Sequence, residues 1–367
     1  MQINNLDNNE LALLWLHSFS LGVKKREGVL SLFSSPSEML EKFEGKKDLL
    51  LSLLGDKQYA KMTKSSPKAE AKRLLELCEK TKLKITTRVS GTYPNALREI
   101  PDSPLVLFVL GDLSLLNSDK CIAVVGTRRP TSYGKEVTHT FSAEFAKNGA
   151  VVVSGLAYGV DSISHTATLE ENGKTIAVMA GGLDSIYPEA HTTLAKQIVK
   201  CGGALVSEYF PGAKPTQYTF PERNRIISGL SKGVLVVEAG ENSGSLHTVS
   251  HALEQGKDLF VVPANINSVA SKGSNRILVE MPDSLVTEPS QVLKRIGINP
   301  IEAQNKELNL SPDEQKIYDA VLREAVHFDD LCKITKISPS TLGSLLTIME
   351  MNGIIRRLPN NYVEVVL

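Results

Sequence analysis

Six short apolar runs, rich in β-branched residues, recur along the middle of the chain at nearly constant intervals. They begin near residues 121 (CIAVV), 151 (VVVS), 175 (TIAVM), 204 (ALVSE), 233 (GVLVVE) and 258 (DLFVVP). The intervals of 30, 24, 29, 29 and 25 residues leave room each time for a strand, a helix and a return loop. Such crossovers predict a parallel sheet covered by helices on both faces. We therefore predict a Rossmann-like, doubly wound α/β domain.

The regions that flank these runs have other patterns. Apolar residues before residue 85, such as Leu11, Leu14 and Trp15, recur at helical spacing and predict a module of short helices. Near the other end, Ser311-Pro312 and Ser338-Pro339 are typical helix starts, and IIRRLPNNYVEVV is typical of a hairpin with an Asn-Asn turn. The predicted domains are a helical module (1–85), the α/β domain (86–296), a linker (297–310) and a winged-helix module (311–367).

Charge and cysteine content narrow the range of partners. Lys plus Arg and Asp plus Glu each total 41, so nucleic-acid binding would require a local arrangement of cations. The four cysteines lack any Cys-x-x-Cys spacing, which favours reduced thiols in a cytosol over disulfides or a zinc ribbon. The polar start MQINNLDNNE does not resemble a signal peptide, and no apolar run reaches the roughly 18 residues of a membrane helix. We expect a cytoplasmic protein without a membrane partner.

Glycine-rich polar loops follow several of the predicted strands, at the sheet edge where such folds bind ligands. Gly126, Thr127 and Arg128 lead into a helix start, where backbone N–H groups and an arginine can bind an anion. The loop is neither Gly-x-Gly-x-x-Gly nor a Walker loop, so we expect no nucleotide cofactor. Ser243, Gly244 and Ser245 predict a second N–H pocket of phosphate size. The alternative for the first loop is a tight turn with a solvent-facing arginine.

The stretch Phe220-Pro221-Glu222-Arg223-Asn224-Arg225 is the most informative. With Pro221 at a first helical position, Phe220 would lie just outside the helix and could stack on a base. Arg223 and Arg225 would then lie about 200° apart on the helix, so both cannot face one pocket. One would bind phosphate and the other would brace the fold, with Glu238 as a candidate partner.

Two constellations invite a reading as catalytic or metal sites. Ser154, Asp161 and His165 could form a triad, but Ser154 lacks the Gly-x-Ser-x-Gly elbow. Asp161 or Ser162 is better used as a helix cap, and His165 is expected to pack beneath the helix. The pair of histidines at 247 and 251 has zinc-like spacing without an apparent third ligand. We expect no catalytic residue and no metal site.

Basic residues in the flanking modules give weaker signals. Lys24, Lys25 and Arg26 crowd a helix start, which could mark a phosphate contact of a degenerate helix-hairpin-helix or a solvated basic turn. Residues 311–367 carry six Lys/Arg and eight Asp/Glu, a formal charge of −2. The predicted recognition helix, 339–350, contains no Lys or Arg, which favours protein contact over duplex reading, with Arg356 and Arg357 in the wing as the exception.

Four segments, VGTRRPTSYG, SGLAYGVD, FPERNRIISGL and VEAGENSGSLHT, together resemble the DprA/Smf family of DNA-processing proteins in order and spacing. The resemblance covers residues 93–280 strongly. It implies an extended Rossmann-like fold, a SAM-like helical module, a winged helix, and a homodimer that binds single-stranded DNA cooperatively and loads RecA during natural transformation. It implies no established catalytic reaction. The DNA contacts that it implies are Gly126, Thr127, Arg128, Phe220, Arg223, Asn224, Arg225, Ser243, Gly244 and Ser245.

An enzymatic function is the alternative. Related Rossmann-like families that hydrolyse nucleoside monophosphates carry Pro-Gly-Gly-x-Gly-Thr-x-x-Glu at the comparable strand end. Here the loop reads AGENSGS over residues 239–245, without a glutamate three residues after a Gly-Thr. A third alternative, a scaffold that binds only proteins, would leave the loops with phosphate-binding features unexplained.

Overall fold

The six apolar runs form parallel strands in the computed structural model of the protein, which describes residues 6–300 and 310–365. The strands of the main sheet are β1 (Lys84–Thr87), β2 (Val106–Gly111), β3 (Cys121–Val125), β4 (Val151–Ser154), β5 (Thr175–Met179), β6 (Ala204–Ser207), β7 (Gly233–Val236) and β8 (Asp258–Val261). Their order is β1-β2-β6-β5-β4-β3-β7-β8. The strands from β3 to β8 are parallel, while β1 and β2 extend the β6 edge in antiparallel fashion. The predicted α/β class is confirmed.

Helices precede the sheet and cover both of its faces. Those of the N-terminal region are α1 (Asn8–His17), α2 (Val23–Ser31), α3 (Pro36–Lys42), α4 (Lys47–Leu54), α5 (Asp56–Thr63) and α6 (Pro67–Lys80). Those of the α/β region are α7 (Asn95–Arg98), α8 (Ser132–Lys147), α9 (Val160–Glu170), α10 (Thr192–Lys200), α11 (Thr219–Leu230), α12 (Ser245–Glu254), α13 (Lys272–Glu280) and α14 (Pro289–Arg295). Every residue of β3 to β7 is buried, as expected of strands covered on both sides.

The strand order reverses at β3, which pairs with β4 on one side and with β7 on the other. The chain therefore leaves β3 and β7 in opposite directions, and a crevice opens beyond their carboxyl ends. The β3–α8, β4–α9 and β7–α12 loops all end at this edge of the sheet. This topology positions the candidate site.

The N-terminal helices share a hydrophobic core with the sheet. Helix α1 begins with a capping box in which Asp7 and Glu10 exchange side-chain and backbone hydrogen bonds. Its side chains from Leu11 to Leu16 are buried in one cluster with Phe108 of β2 and Leu205 of β6. The helical region is thus packed against the sheet.

Residues 310–365 form a second compact unit, distinct from residues 6–300. Its elements are α15 (Pro312–Val321), β9 (Val326–His327), α16 (Phe328–Thr335), α17 (Pro339–Met351), β10 (Ile355–Leu358) and β11 (Tyr362–Val365). Ser311 caps α15, and the β10–β11 hairpin turns at Asn360 and Asn361, both with positive φ. Three helices with a three-stranded sheet confirm the winged helix. Of the predicted linker, residues 301–309 lie outside the described residues, and the boundaries at 85/86 and 296/297 stay predictions.

None of the helices in the described segments is both long and apolar enough to span a membrane.

Candidate nucleic-acid interface

A cavity of about 820 Å³ lies at the carboxyl ends of β3, β4 and β7, where the strand order reverses. We call it the rim cavity. Of the ten residues that the sequence placed in the DNA site, its lining contains Gly126, Thr127, Arg128, Phe220, Arg223, Asn224, Ser243, Gly244 and Ser245. Arg225 lines a different cavity. Residues from three separate segments thus meet at one place.

The β3–α8 and β4–α9 loops are tied to each other and to β7. The Thr127 amide donates to the carbonyl of Glu238 at 2.7 Å, and the Val160 amide donates to the carbonyl of Thr127 at 3.2 Å. Gly159 has a φ of +77°, and a Cβ atom there would clash with the Thr127 carbonyl. Only glycine permits this close approach of the two loops. The position of Arg128 is therefore fixed by the backbone on both sides of its loop.

The N-terminus of α8 does not form the predicted ligand anion site. Thr131 caps the helix by accepting from the Gly134 amide at 3.1 Å, and its own amide and hydroxyl donate to Glu238 at 2.9 and 2.7 Å. The Glu238 carboxylate, 1% exposed, therefore occupies the position that an external anion would take. What this loop offers a ligand is the side chain of Arg128.

Arg128 is exposed, and its guanidinium carbon lies 5.3 Å from the centroid of the Phe220 ring. The centroid of the Tyr187 ring lies 5.9 Å from that of the Phe220 ring, at an interplanar angle of 53°. Arg128 forms no ion pair with any carboxylate in the described segments. An arginine whose charge is not neutralised by a carboxylate of these segments thus lies beside an aromatic ring. This arrangement suits a nucleotide, because the arginine can bind its phosphate and the ring can stack on its base.

Phe220 lies inside α11, not outside it as predicted. The helix begins at Thr219, so Phe220 and Pro221 both fall in its first turn. Thr216 and Thr219 exchange side-chain hydrogen bonds with each other's amides, at 2.9 and 3.3 Å, and set the start upstream of the proline. Proline is tolerated there because the first helical amides have no intrahelical acceptor. Phe220 remains half-buried and faces the rim cavity.

Arg223 lines the rim cavity, but its guanidinium group is hydrogen-bonded to backbone carbonyls of the protein itself. It is 4% exposed and donates to the carbonyls of Gly155, at 2.8 Å, and Val178. Burial lowers the pKa of Arg223 to about 10, against the opposing effect of Asp161. Burial likewise raises the pKa of Asp161, which accepts from the Gly155 and Ala157 amides instead of capping α9. This arginine and carboxylate hold the β4–α9 loop in place.

Arg225 points away from the rim cavity, as the helical geometry required. Its partner is Glu208, at 2.5 Å, and not Glu238 as predicted. Glu208 also pairs with Arg26 of α2 at 3.0 Å. Burial alone would raise the pKa of Glu208, but Arg225 and Arg26 outweigh it and hold that pKa below its usual value. Among the cations at the start of α2, Arg26 is therefore buried and stabilises the fold, while Lys24 and Lys25 are exposed.

The N-terminus of α12 opens onto the rim cavity. Gly244 precedes the helix, and the hydroxyls of Ser243 and Ser245 lie 2.8 Å apart. Asn224 donates to the Gly244 carbonyl at 3.2 Å and so connects this loop to α11. The helix dipole and the two hydroxyls favour a negatively charged or oxygen-rich ligand group.

Tyr187 and His247 also line the cavity, although the sequence did not indicate them as ligand contacts. Tyr187, 54% exposed, belongs to the loop after β5, whose Ala-Gly-Gly start was the available signal. His247 is exposed on the first turn of α12 and had been considered only as a metal ligand.

The triad constellation does not assemble. Ser154 donates to the Val124 carbonyl at 2.7 Å, whereas His165 is fully buried and pairs with Thr175 at 2.7 Å. Burial lowers the pKa of His165 to about 3, so its ring is neutral. As predicted, His165 packs beneath its helix. Over residues 6–300 and 310–365, no group of three or more His, Cys, Asp or Glu side chains is arranged to hold a metal ion.

The family model for DNA recombination-mediator protein A matches residues 84–297, and that for the DprA winged helix domain matches residues 301–361. Protein Smf of Escherichia coli (strain K12) is 38% identical over 292 residues, which cover 75% of each chain. The X-ray structure of DNA processing protein A from Streptococcus pneumoniae matches with a TM-score of 0.60 and 33% identity, over 79% of this chain and 98% of that one.

A second solved structure is that of a protein with a described single-stranded DNA binding mode. It is DNA processing protein A from Helicobacter pylori, with a TM-score of 0.52 and 33% identity over 58% of this chain and 95% of that chain. The family model spans residues 84–297, and the relatives and solved structures belong to the same family. The chain therefore belongs to the DprA/Smf family of DNA-processing proteins.

Proposed function

We propose that the rim cavity binds single-stranded DNA and that the protein acts as a recombination mediator. In this role it would load a RecA recombinase onto incoming strands during natural transformation, in the cytoplasm and as a homodimer. The observation that carries the proposal is the meeting of Arg128, Phe220 and the α12 N-terminus at one cavity. The single-stranded DNA binding named for the Helicobacter pylori relative supports it.

The aromatic ring supports a preference for unpaired strands. A base can stack on Phe220 only if it leaves its neighbours, which bases in a duplex do at a cost of a few kcal/mol. Arg128, 5.3 Å away, would contact the phosphate of the same nucleotide. Stacking of this kind tolerates any base, so we expect little sequence preference.

Two helix N-termini, those of α8 and α12, lie at the site, and one of them offers a phosphate position in addition to Arg128. Glu238 already fills the N-terminus of α8, which leaves the N-terminus of α12 for the strand. Ser243 and Ser245 would contribute hydroxyl donors there. Two anchoring points in the cavity that Phe220 lines would hold the backbone while the base is stacked.

The polar side chains at the cavity support binding without a reaction. Asp161 and Arg223 are each engaged by several backbone groups, and a group held this way is poorly placed to transfer a proton. We therefore propose that the chain is not an enzyme. Sustained release of free base from AMP by the purified protein would contradict this and favour the hydrolase alternative.

Fluorescence anisotropy tests the binding step. We expect tight, salt-sensitive binding of a labelled oligo-dT and at least about tenfold weaker binding of a duplex of equal length. A recombinase-loading assay on strands coated with single-strand-binding protein tests the second step. Equal affinity for single strands and duplex would contradict the proposed site, and unchanged loading would contradict the mediator role.

A further inference from the structure

A second cavity, of about 510 Å³, adjoins the rim cavity. It lies between the N-terminal helices and α11, and Pro221 and His247 line both cavities. A strand leaving the rim cavity over these two residues would arrive directly at its opening. Cavities of this volume commonly hold small organic groups.

Two residues that line the second cavity have buried polar atoms without hydrogen-bond partners in the part of the chain that the structure describes. Arg225 is 5% exposed; its Nη2 atom donates to Glu208 at 2.5 Å, but its Nη1 atom has no hydrogen-bond partner among the described residues. The Nε2 atom of His17, which lines the same cavity, is buried and unpartnered as well. Buried polar atoms without partners are rare in folded proteins. Arg225 Nη1 can only donate, so it marks a place for an acceptor atom of a ligand.

The charges around the cavity select among acceptors. Arg26 and Arg225 are balanced in part by Glu208, and Asp102 and Glu222 add two further carboxylates to the lining. These carboxylates would repel a phosphate. A neutral group that carries an oxygen or nitrogen acceptor satisfies Arg225 without that repulsion.

The walls favour a flat ring. Leu16, Leu21 and Phe210 line the cavity, and the rings of Phe210 and His17 lie 4.5 Å apart. Apolar and aromatic walls with one polar donor at the end are the ordinary surroundings of a bound nucleobase.

We propose that the second cavity takes a nucleobase of the same single strand, one or a few nucleotides away from the base on Phe220. An acceptor atom of that base receives a hydrogen bond from Arg225 Nη1, while the phosphates stay outside. This inference rests on the proposed single-strand binding. It makes the N-terminal helices part of the DNA path.

Photo-crosslinking tests it on the full chain. Oligo-dT carrying 5-iodouracil at one position at a time is bound, irradiated and analysed by mass spectrometry of tryptic peptides. Crosslinks at Tyr209 or Phe210, from a position other than the one that reaches Phe220, support the second cavity. Crosslinks confined to Phe220 and Tyr187 overturn it and leave the proposed function intact, whereas no single-strand binding at all overturns both.

A pair of variants at Gly22 gives an independent measurement. Gly22 precedes α2 at the cavity opening, has an ordinary φ of −59°, and a Cβ atom there would meet nothing within 4 Å. Both Asp and Asn cap helices well, so Gly22→Asp and Gly22→Asn should fold equally and differ only in charge. We expect Gly22→Asp to bind oligo-dT about fivefold more weakly than Gly22→Asn, through repulsion of the passing phosphates. Equal affinities would remove the second cavity from the path.

Discussion

The rim cavity and the winged-helix module both carry arginines at their surfaces, but they use them differently. Arg128 forms no ion pair within the described residues and stands beside Phe220. In the wing, Arg356 pairs with Glu364, and Arg357 lies 3.5 Å from Glu350 and donates to Thr347 at 2.8 Å. The arginine at the rim cavity is thus free to bind an anion, whereas the arginines of the wing are neutralised by glutamates of the same module. In a chain with equal numbers of positive and negative side chains, the local pairing of arginines decides where DNA can bind.

The two regions should also differ in their response to acid, which is the largest effect that we expect. His165 is fully buried, and burial lowers its pKa to about 3 from an ordinary 6.5. The ring is neutral in the folded protein but protonated in the unfolded chain below pH 6.5. Its contribution to stability is therefore complete above pH 6.5 and is lost as the pH falls toward 3. At pH 4.5 the loss from His165 alone is about 3 kcal/mol.

His17, whose pKa burial lowers to about 4, adds to the same loss, while the winged-helix module contains only the half-buried His327. Urea titrations at pH 7 and pH 4.5 can follow the first unit through the fluorescence of Trp15, the only tryptophan. Pulse proteolysis with mass spectrometry can follow the winged-helix module. A His165→Asn variant should show a smaller drop in the first unit. An equal drop in both units would contradict this account.

Aromatic side chains provide the next test of the comparison. Phe220→Ala should weaken binding of oligo-dT by about 1–3 kcal/mol, or roughly 5- to 150-fold, because a stacking surface is lost. Tyr362→Ala removes an aromatic residue that is 42% exposed on the wing and should change the affinity by less than about twofold. Anisotropy titrations of both variants give the answer, and Phe220→Trp should retain binding. If Tyr362→Ala proved the more damaging variant, the winged helix would be the DNA-binding region.

Removing helix caps should have the smallest effects. It separates a loss of folding stability from a loss of DNA affinity most clearly. Thr131→Ala and Ser311→Ala each remove an N-cap, and each should reduce the free energy of unfolding of its unit by about 1 kcal/mol. Only Thr131→Ala should also weaken oligo-dT binding, because Thr131 and Glu238 hold the loop that carries Arg128. Thr131→Ser should restore binding. Equal affinities of the two alanine variants would mean that this loop does not position the DNA contact.

Much of this arrangement could be predicted because it depends on local pattern. The six apolar runs predicted the parallel strands, and the loops after them predicted where the site lies. The capped start of α15 at Ser311 is equally local and was predicted. Strand periodicity and cap chemistry involve neighbours within a few residues, so they can be recognised without the fold.

Two of the errors concern contacts between distant segments. Glu238 fills the N-terminus of α8 from 107 residues away, and Arg26 meets Glu208 across 182 residues. No spacing in the sequence reports such pairs. The start of α11 was misplaced for a different reason: a proline is acceptable anywhere in the first turn, so Pro221 alone did not determine which residue comes first.

The central claim is that Arg128, and not basic charge in general, binds the strand. The most direct measurement compares Arg128→Ala with Arg129→Ala, its exposed neighbour outside the rim cavity lining, in oligo-dT titrations over a range of salt concentrations. Both variants lose one positive charge. We predict that Arg128→Ala binds about tenfold more weakly with a salt slope reduced by about 1, while Arg129→Ala stays within about twofold of the unmodified protein. Equal losses for the two variants, or none for Arg128→Ala, would contradict the account.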